Sequence, residues 1–178
     1  MALTATIYNF DVELSDVDRN VYESFALKVA QHPSETDEYL LTRVLAYCLE
    51  FAEGITFSRG LADPDEPTIA VRDLTGALKG WIEIGSPDAA RLHKASKASP
   101  RVAVYTHKDP RLLRQALGGE RIHRVEALEL YAVDRELLAE LAARLDRRVK
   151  LSISMSEGQL YVTMNGETFG GTVERITL

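Results

Sequence analysis

The segment Gly80-Trp81-Ile82-Glu83-Ile84-Gly85-Ser86 is apolar and β-branched at Ile82 and Ile84, which predicts a strand. One acid, Glu83, sits in its middle. A buried carboxylate costs roughly several kcal/mol unless a cation or hydrogen-bond donors compensate it, so Glu83 requires a partner. A second short strand is expected at Thr68–Val71, joined to the first through the turn signal Asp73-Leu74-Thr75-Gly76. An antiparallel hairpin centred near residue 75 sets position 67 opposite 83 and position 65 opposite 85, which brings Asp65 beside Glu83. Two carboxylates that close repel unless one is protonated or a cation lies between them. Magnesium, which takes oxygen ligands and keeps several waters, resolves that repulsion naturally. Just downstream, Arg91 and Lys94 stand three apart on a helix expected over Asp88–Lys97, with Leu92 and Ala95 toward the core.

These residues need a scaffold, and hydrophobic periodicity outlines it. Residues 4–14 alternate, with Tyr8, Phe10, Val12 and Leu14 on one side, and residues 21–30 alternate again, so the chain opens on an antiparallel hairpin. A helix is expected after His32-Pro33, with Ser34 as N-cap and Asp37 completing a capping box. Its core face is Leu40, Leu41, Val44, Leu45, Cys48 and Leu49. Glu35 and Glu38 in its first turn complement the helix dipole, which by itself accounts for them. Strands Ile55–Phe57, Thr68–Val71 and Gly80–Ser86 follow, then the Asp88–Lys97 helix with Ser86 as cap and Pro87 at its first position. Next come a strand at Arg101–Thr106, a short helix from Asp109-Pro110 to Gly118-Gly119, a strand at Val125–Val133 and a helix capped by Asp134. The chain closes on a β-meander whose Asn165-Gly166 pair marks a tight hairpin.

With 178 residues, 46% hydrophobic and 27% charged, the chain suits one soluble domain over 1–178. No run approaches the length of a transmembrane helix, and the start Met1-Ala2-Leu3-Thr4 lacks a basic region and an apolar core. The single cysteine, Cys48, allows no internal disulfide and is expected to be buried and inert, so a cytoplasmic setting fits. Net charge is −6, against a dedicated nucleic-acid coat. Residues 91–124, however, carry 9 basic and 2 acidic side chains, a local +7. That block reads either as a field that steers an anion or as a solvated face. His32, His93, His107 and His123 lack zinc-ligand spacing, and neither a glycine-rich phosphate loop nor a Gly-x-Ser-x-Gly elbow occurs.

The order helix, three-stranded meander, helix, strand, with acids on the meander, is that of the PD-(D/E)XK nuclease-like fold. Over nearly its whole length the chain resembles the YaeQ family of bacterial proteins. The resemblance rests on Ala5-Thr6-Ile7-Tyr8 after Met1-Ala2-Leu3, on His32-Pro33-Ser34-Glu35-Thr36-Asp37-Glu38 with Arg43, and on Asp65-Glu66-Pro67. It continues through Leu74-Thr75-Gly76, Trp81-Ile82-Glu83-Ile84-Gly85 with Pro87, Arg91, Lys94-Ala95 and Val104-Tyr105-Thr106. It implies a mixed β-sheet with flanking helices, an α/β or α+β fold in which the nuclease-like core is extended by the N-terminal hairpin and the C-terminal meander.

Set against the nuclease motif, Pro64-Asp65 stands for the first acid and Glu83 for the second, but Gly85 stands where the motif has a lysine. The resemblance moves the lysine's role to Lys94 and adds Glu35 as a third carboxylate. Asp65, Glu83 and Glu35 would then hold Mg²⁺ or Mn²⁺, with a metal-activated water attacking a phosphodiester and Lys94 orienting that water or neutralising the phosphate. Arg91, Lys97 and Arg101 would hold the nucleic-acid backbone. Two readings result: a metal-dependent phosphodiesterase, or a fold relative without catalysis that binds a nucleic acid or a protein.

Overall fold

The computed structural model describes residues 4–58, 63 and 65–178. The Met1–Leu3 part of the N-terminal motif, and Ala62 and Pro64 of the acidic loop 62–67, lie outside the described residues. Among the described residues there are ten strands and four α-helices, a mixed α+β fold. The chain divides into two compact units, Met1–Val44 with Val133–Val173, and Leu45–Ala132 with Glu174–Leu178.

The first unit opens with β1 (Thr6–Asp16) and β2 (Val21–Gln31), an antiparallel hairpin in full register from Thr6↔Gln31 to Asp16↔Val21. Its turn is closed by Asp16, whose carboxylate accepts from the Arg19 backbone and side chain. β8 (Arg148–Ser156) runs parallel to β1, and β9 (Gln159–Met164) and β10 (Glu167–Ile176) complete an antiparallel meander. The alternating apolar residues Phe10, Val12, Leu14, Val149, Leu151 and Ile153 all turn to the core, as period two requires. Helix α4 (Arg135–Ala142) is capped by Asp134, as expected, and packs closely on β10. A Cβ on Gly171 would lie 2.8 Å from Asp134 Cβ and 2.9 Å from Leu137 Cβ, so only glycine permits that approach.

Helix α1 (Asp37–Leu49) buries its whole expected apolar face, from Leu40 to Leu49. Its N-cap is Thr36 rather than Ser34: the Thr36 hydroxyl accepts from Tyr39 N at 3.1 Å, while Ser34 bonds His32 Nδ1 in the preceding turn.

In the second unit, β3 (Ile55–Phe57), β4 (Ile69–Arg72) and β5 (Leu78–Ile84) form an antiparallel meander, and β6 (Val102–Thr106) and β7 (Glu129–Val133) add in parallel. β7 begins at Glu129, not at Val125, because Val125–Ala127 forms a 3₁₀ turn. Helices α2 (Ala89–Ala98) and α3 (Pro110–Leu117) connect the parallel strands, the crossovers that parallel pairing demands. Trp81, Leu92, Ala95, Val102, Val104, Leu113, Leu117 and Leu130 pack into one core between these helices and the sheet. The α2 cap is Asp88, which accepts from Arg91 N at 2.8 Å, so Ser86 and Pro87 precede the cap. The lone thiol, Cys48, is fully buried, and burial pushes its pKa far up. No helix among the described residues is long and apolar enough to cross a membrane.

Candidate functional site

The pairing of β4 with β5 decides what faces Glu83. Ile69 pairs with Ile82, Ala70 with Trp81 and Val71 with Gly80, but a bulge between Val71 and Arg72 slips the register by one residue at the turn end. Continuing the register puts Thr68, not Pro67, opposite Glu83. The Thr68 hydroxyl accordingly lies 3.5 Å from Glu83 Oε2. The one-residue slip also moves Asp65 off the position expected for it.

Glu83 has two further partners. Trp81, two residues earlier on the same strand face, donates its indole N–H to Glu83 Oε1 at 2.7 Å. Arg91, on the first turn of α2, donates to the same oxygen at 2.8 Å. The Glu83 side chain is only 5% exposed and that of Arg91 23%, so this is a largely buried ion pair. The Arg91 guanidinium lies over the Trp81 ring at 5.7 Å, and the indole thus supplies both a donor and a π-face. Arg91 also donates to the carbonyls of Asp63 (3.3 Å) and Glu66 (2.8 Å), fastening the acidic loop to α2. Asp65 pairs with Lys94, and here both side chains are exposed, 70% and 52%.

Asp65, Glu83, Arg91 and Lys94 therefore gather about the N-terminal half of α2 as two acid–base pairs. Glu35, in the first unit, accepts from Arg43 at 3.2 Å, and both side chains are about nine-tenths covered. Each of the three expected metal carboxylates has its own cation, and among the described residues no three His, Cys, Asp or Glu side chains form a metal-binding group. In this arrangement guanidinium and ammonium groups supply charge compensation to all three carboxylates.

The lysine position of the nuclease motif disfavours a side chain for a backbone reason. Gly85 has φ +93°, and its N–H bonds Tyr105 O at 2.9 Å. That left-handed conformation turns the chain out of β5 toward α2, and residues with a Cβ rarely adopt it.

Of the expected backbone-binding residues, Lys97 is exposed on α2. Arg91 is committed as described, and so is Arg101. The Arg101 guanidinium donates to Glu50 at 2.5 and 3.0 Å and to Glu129 at 2.7 and 3.1 Å. Tyr105 adds a bond to Glu50 at 2.7 Å and Tyr131 one to Glu129 at 2.7 Å, the two rings stacked at 5.0 Å. Burial draws the Glu129 carboxyl upward, but the bonds from Arg101 and Tyr131 outweigh it and hold its pKa below the ordinary value. Burial and the adjacent Glu50 push the Tyr105 phenol well up. Arg101 is a structural clamp, and its separation of 51 residues from Glu50 hid that from the sequence.

Further exposed cations are brought to α2 by segment 121–124. Segment 121–124 docks on the helix: His123 N donates to His93 Nδ1 at 2.9 Å, and Ser96 Oγ donates to His123 O at 2.6 Å. Arg124 reaches the Ser96 and Ser99 carbonyls at 2.7 and 3.1 Å, capping the helix C-terminus with a cation. Lys94, Lys97, Arg121 and Arg124 are exposed residues of this α2 and 121–124 region. Arg121 and Arg124 belonged to the basic block noted in the sequence, but only the docking joins them to α2.

Comparison with known proteins agrees with this fold throughout. A family model described as YaeQ protein matches residues 1–172. The uncharacterised YaeQ protein of Escherichia coli K12 is 33% identical over 164 residues, covering 92% of this chain and 91% of that protein. The Salmonella typhi YaeQ protein is 33% identical over 168 residues, with the same coverage. The crystal structure of YaeQ from Pseudomonas syringae superposes with a TM-score of 0.86 at 32% identity, over 97% of this chain and 96% of that one. That of YaeQ from Xanthomonas axonopodis pv. citri gives 0.85 at 30% identity, over 97% and 98%.

Proposed function

The chain belongs to the YaeQ family, and from that premise and the geometry about α2 we propose that it binds the phosphate backbone of nucleic acid without a metal and without cutting it. One observation carries the reading. The carboxylates that a phosphodiesterase would use are paired with cations, Lys94 among them, whereas segment 121–124 docks on α2 and adds Arg121 and Arg124 to the exposed Lys97. Lysine and arginine on one surface neutralise successive phosphates and read no sequence. The net −6 of the whole chain keeps such binding local to this surface and weak at physiological salt.

Binding of a fluorescent single-stranded oligonucleotide, followed by anisotropy across a salt series, tests this. Three cations contacting phosphates, Lys97, Arg121 and Arg124, give a slope of about −2 in log K against log salt. Lys97→Ala and Arg121→Ala each make it shallower by about 0.7. EDTA, Mg²⁺ and Mn²⁺ leave the affinity, beyond ordinary salt effects, and the melting temperature unchanged. A slope of zero refutes the proposal.

The second reading, a Mg²⁺- or Mn²⁺-dependent phosphodiesterase, draws support from the gathering of Asp65, Glu83 and Lys94 about one helix end. It expects millimolar metal to raise the melting temperature, and nucleic-acid cleavage that Asp65→Asn abolishes.

A further inference from the structure

Resting on the phosphate-binding reading of α2, we infer that Lys94 is a phosphate subsite of that surface and that Asp65 occupies it as an internal anion, which an incoming phosphate displaces. Successive residues of an α-helix are about 100° apart, so Arg91, Lys94, Lys97 and His93 follow one another around α2 in that order. Arg91 faces the acidic loop and His93 faces segment 121–124. Lys94 lies between, continuous with exposed Lys97, yet its ammonium is taken by Asp65.

The loop holds Asp65 there by bonds that do not involve its carboxylate. Arg91 grips the carbonyls of Asp63 and Glu66 on either side, and Asp65 N donates to Asp63 Oδ1 at 2.9 Å. The carboxylate is thus pre-positioned while the pair itself stays open to solvent, at 70% and 52% exposure. An exposed ion pair of this kind is weak and exchanges readily. A phosphate oxygen can replace the carboxylate oxygen on Lys94 Nζ, ion for ion, with no covalent step. The neighbouring Glu83–Arg91 pair, at 5% and 23%, is not exchangeable in this way. Asp65 therefore lowers the affinity of the surface, the opposite of a metal ligand, whose loss would weaken the site.

The test uses the full chain and a fluorescein-labelled thymidine oligonucleotide of roughly 16 nucleotides, titrated by anisotropy at low salt. Asp65→Asn should bind about threefold to fivefold tighter than the unmodified protein. Glu66→Gln removes the same charge from the same loop but spares the carbonyl that Arg91 uses, and should change affinity less than about twofold. In a Lys94→Ala background the gain from Asp65→Asn should vanish. Weaker binding by Asp65→Asn, a gain matched by Glu66→Gln, or a gain that survives without Lys94 overturns the inference alone. Failure of every variant to bind overturns the surface reading and the inference together.

Discussion

Replacing Arg91 by methionine keeps the aliphatic stem against Trp81 and removes the charge facing Glu83. The Glu83 side chain is 5% exposed, so water cannot take over. Its remaining donors are the Trp81 indole and the Thr68 hydroxyl, both neutral. Removing one partner of a buried ion pair costs about 3–5 kcal/mol. Two carbonyl bonds that fasten residues 63 and 66 disappear as well. Taking the lower end, about 3 kcal/mol, and a shift of about 2–4 °C per kcal/mol for a chain of this size, the melting temperature should fall by about 6–12 °C. Lys94→Ala breaks an exposed pair worth about 1 kcal/mol at most, a fall of under about 4 °C. Differential scanning calorimetry of the two variants and of Glu83→Gln/Arg91→Met reads the difference. The double variant should recover part of the loss, because a neutral amide no longer needs the cation. If Arg91→Met melts within a degree or two of Lys94→Ala, the Glu83–Arg91 contact does not act as a buried ion pair, and the account of the site fails.

Two further outcomes follow from the same geometry. Gly85→Lys, which restores the residue of the nuclease motif, forces a side chain into φ +93°; it should cost about 1–3 kcal/mol in denaturant melts and confer no cleavage with Mn²⁺. Glu129 has a folded pKa below its ordinary value because the bonds from Arg101 and Tyr131 outweigh burial. Its contribution is therefore complete above the unfolded-chain pKa of about 4.3 and is lost as pH falls from there through the lower folded value. Glu129→Gln should flatten the acid limb of the stability profile measured by urea titration, leaving less difference between pH 6 and pH 3 than in the unmodified protein.

Period-two alternation placed Tyr8, Phe10, Val12 and Leu14 on one face of the first strand; Phe10, Val12 and Leu14 lie buried there, while Tyr8, nearer the strand end, is only partly covered. The helical period placed the α1 core face, Asp109-Pro110 marked the start of α3, and Asp134 was legible as a cap because a cap acts within its own turn. Ser34 and Ser86 were misread for the same local reason: Thr36 and Asp88 stand two residues on, and the competition between neighbouring cap residues is settled by where packing starts the helix. The strand start at Val125 failed because an apolar run does not distinguish a 3₁₀ turn from an extended segment.

Which residues carry charge near α2, and that a buried Glu83 must have a partner, was decided by the amino-acid sequence alone, since composition, periodicity and the desolvation of a carboxylate are properties of short stretches. Which cation meets which acid was decided by tertiary structure. A single bulged residue at Val71/Arg72 exchanged Pro67 for Thr68 opposite Glu83. Arg91 and Arg101, with long stems and forked heads, reached acids 8 and 51 residues away in sequence. Pairing at that range depends on ångström-scale register and helix rotation, and no local pattern of residues encodes it.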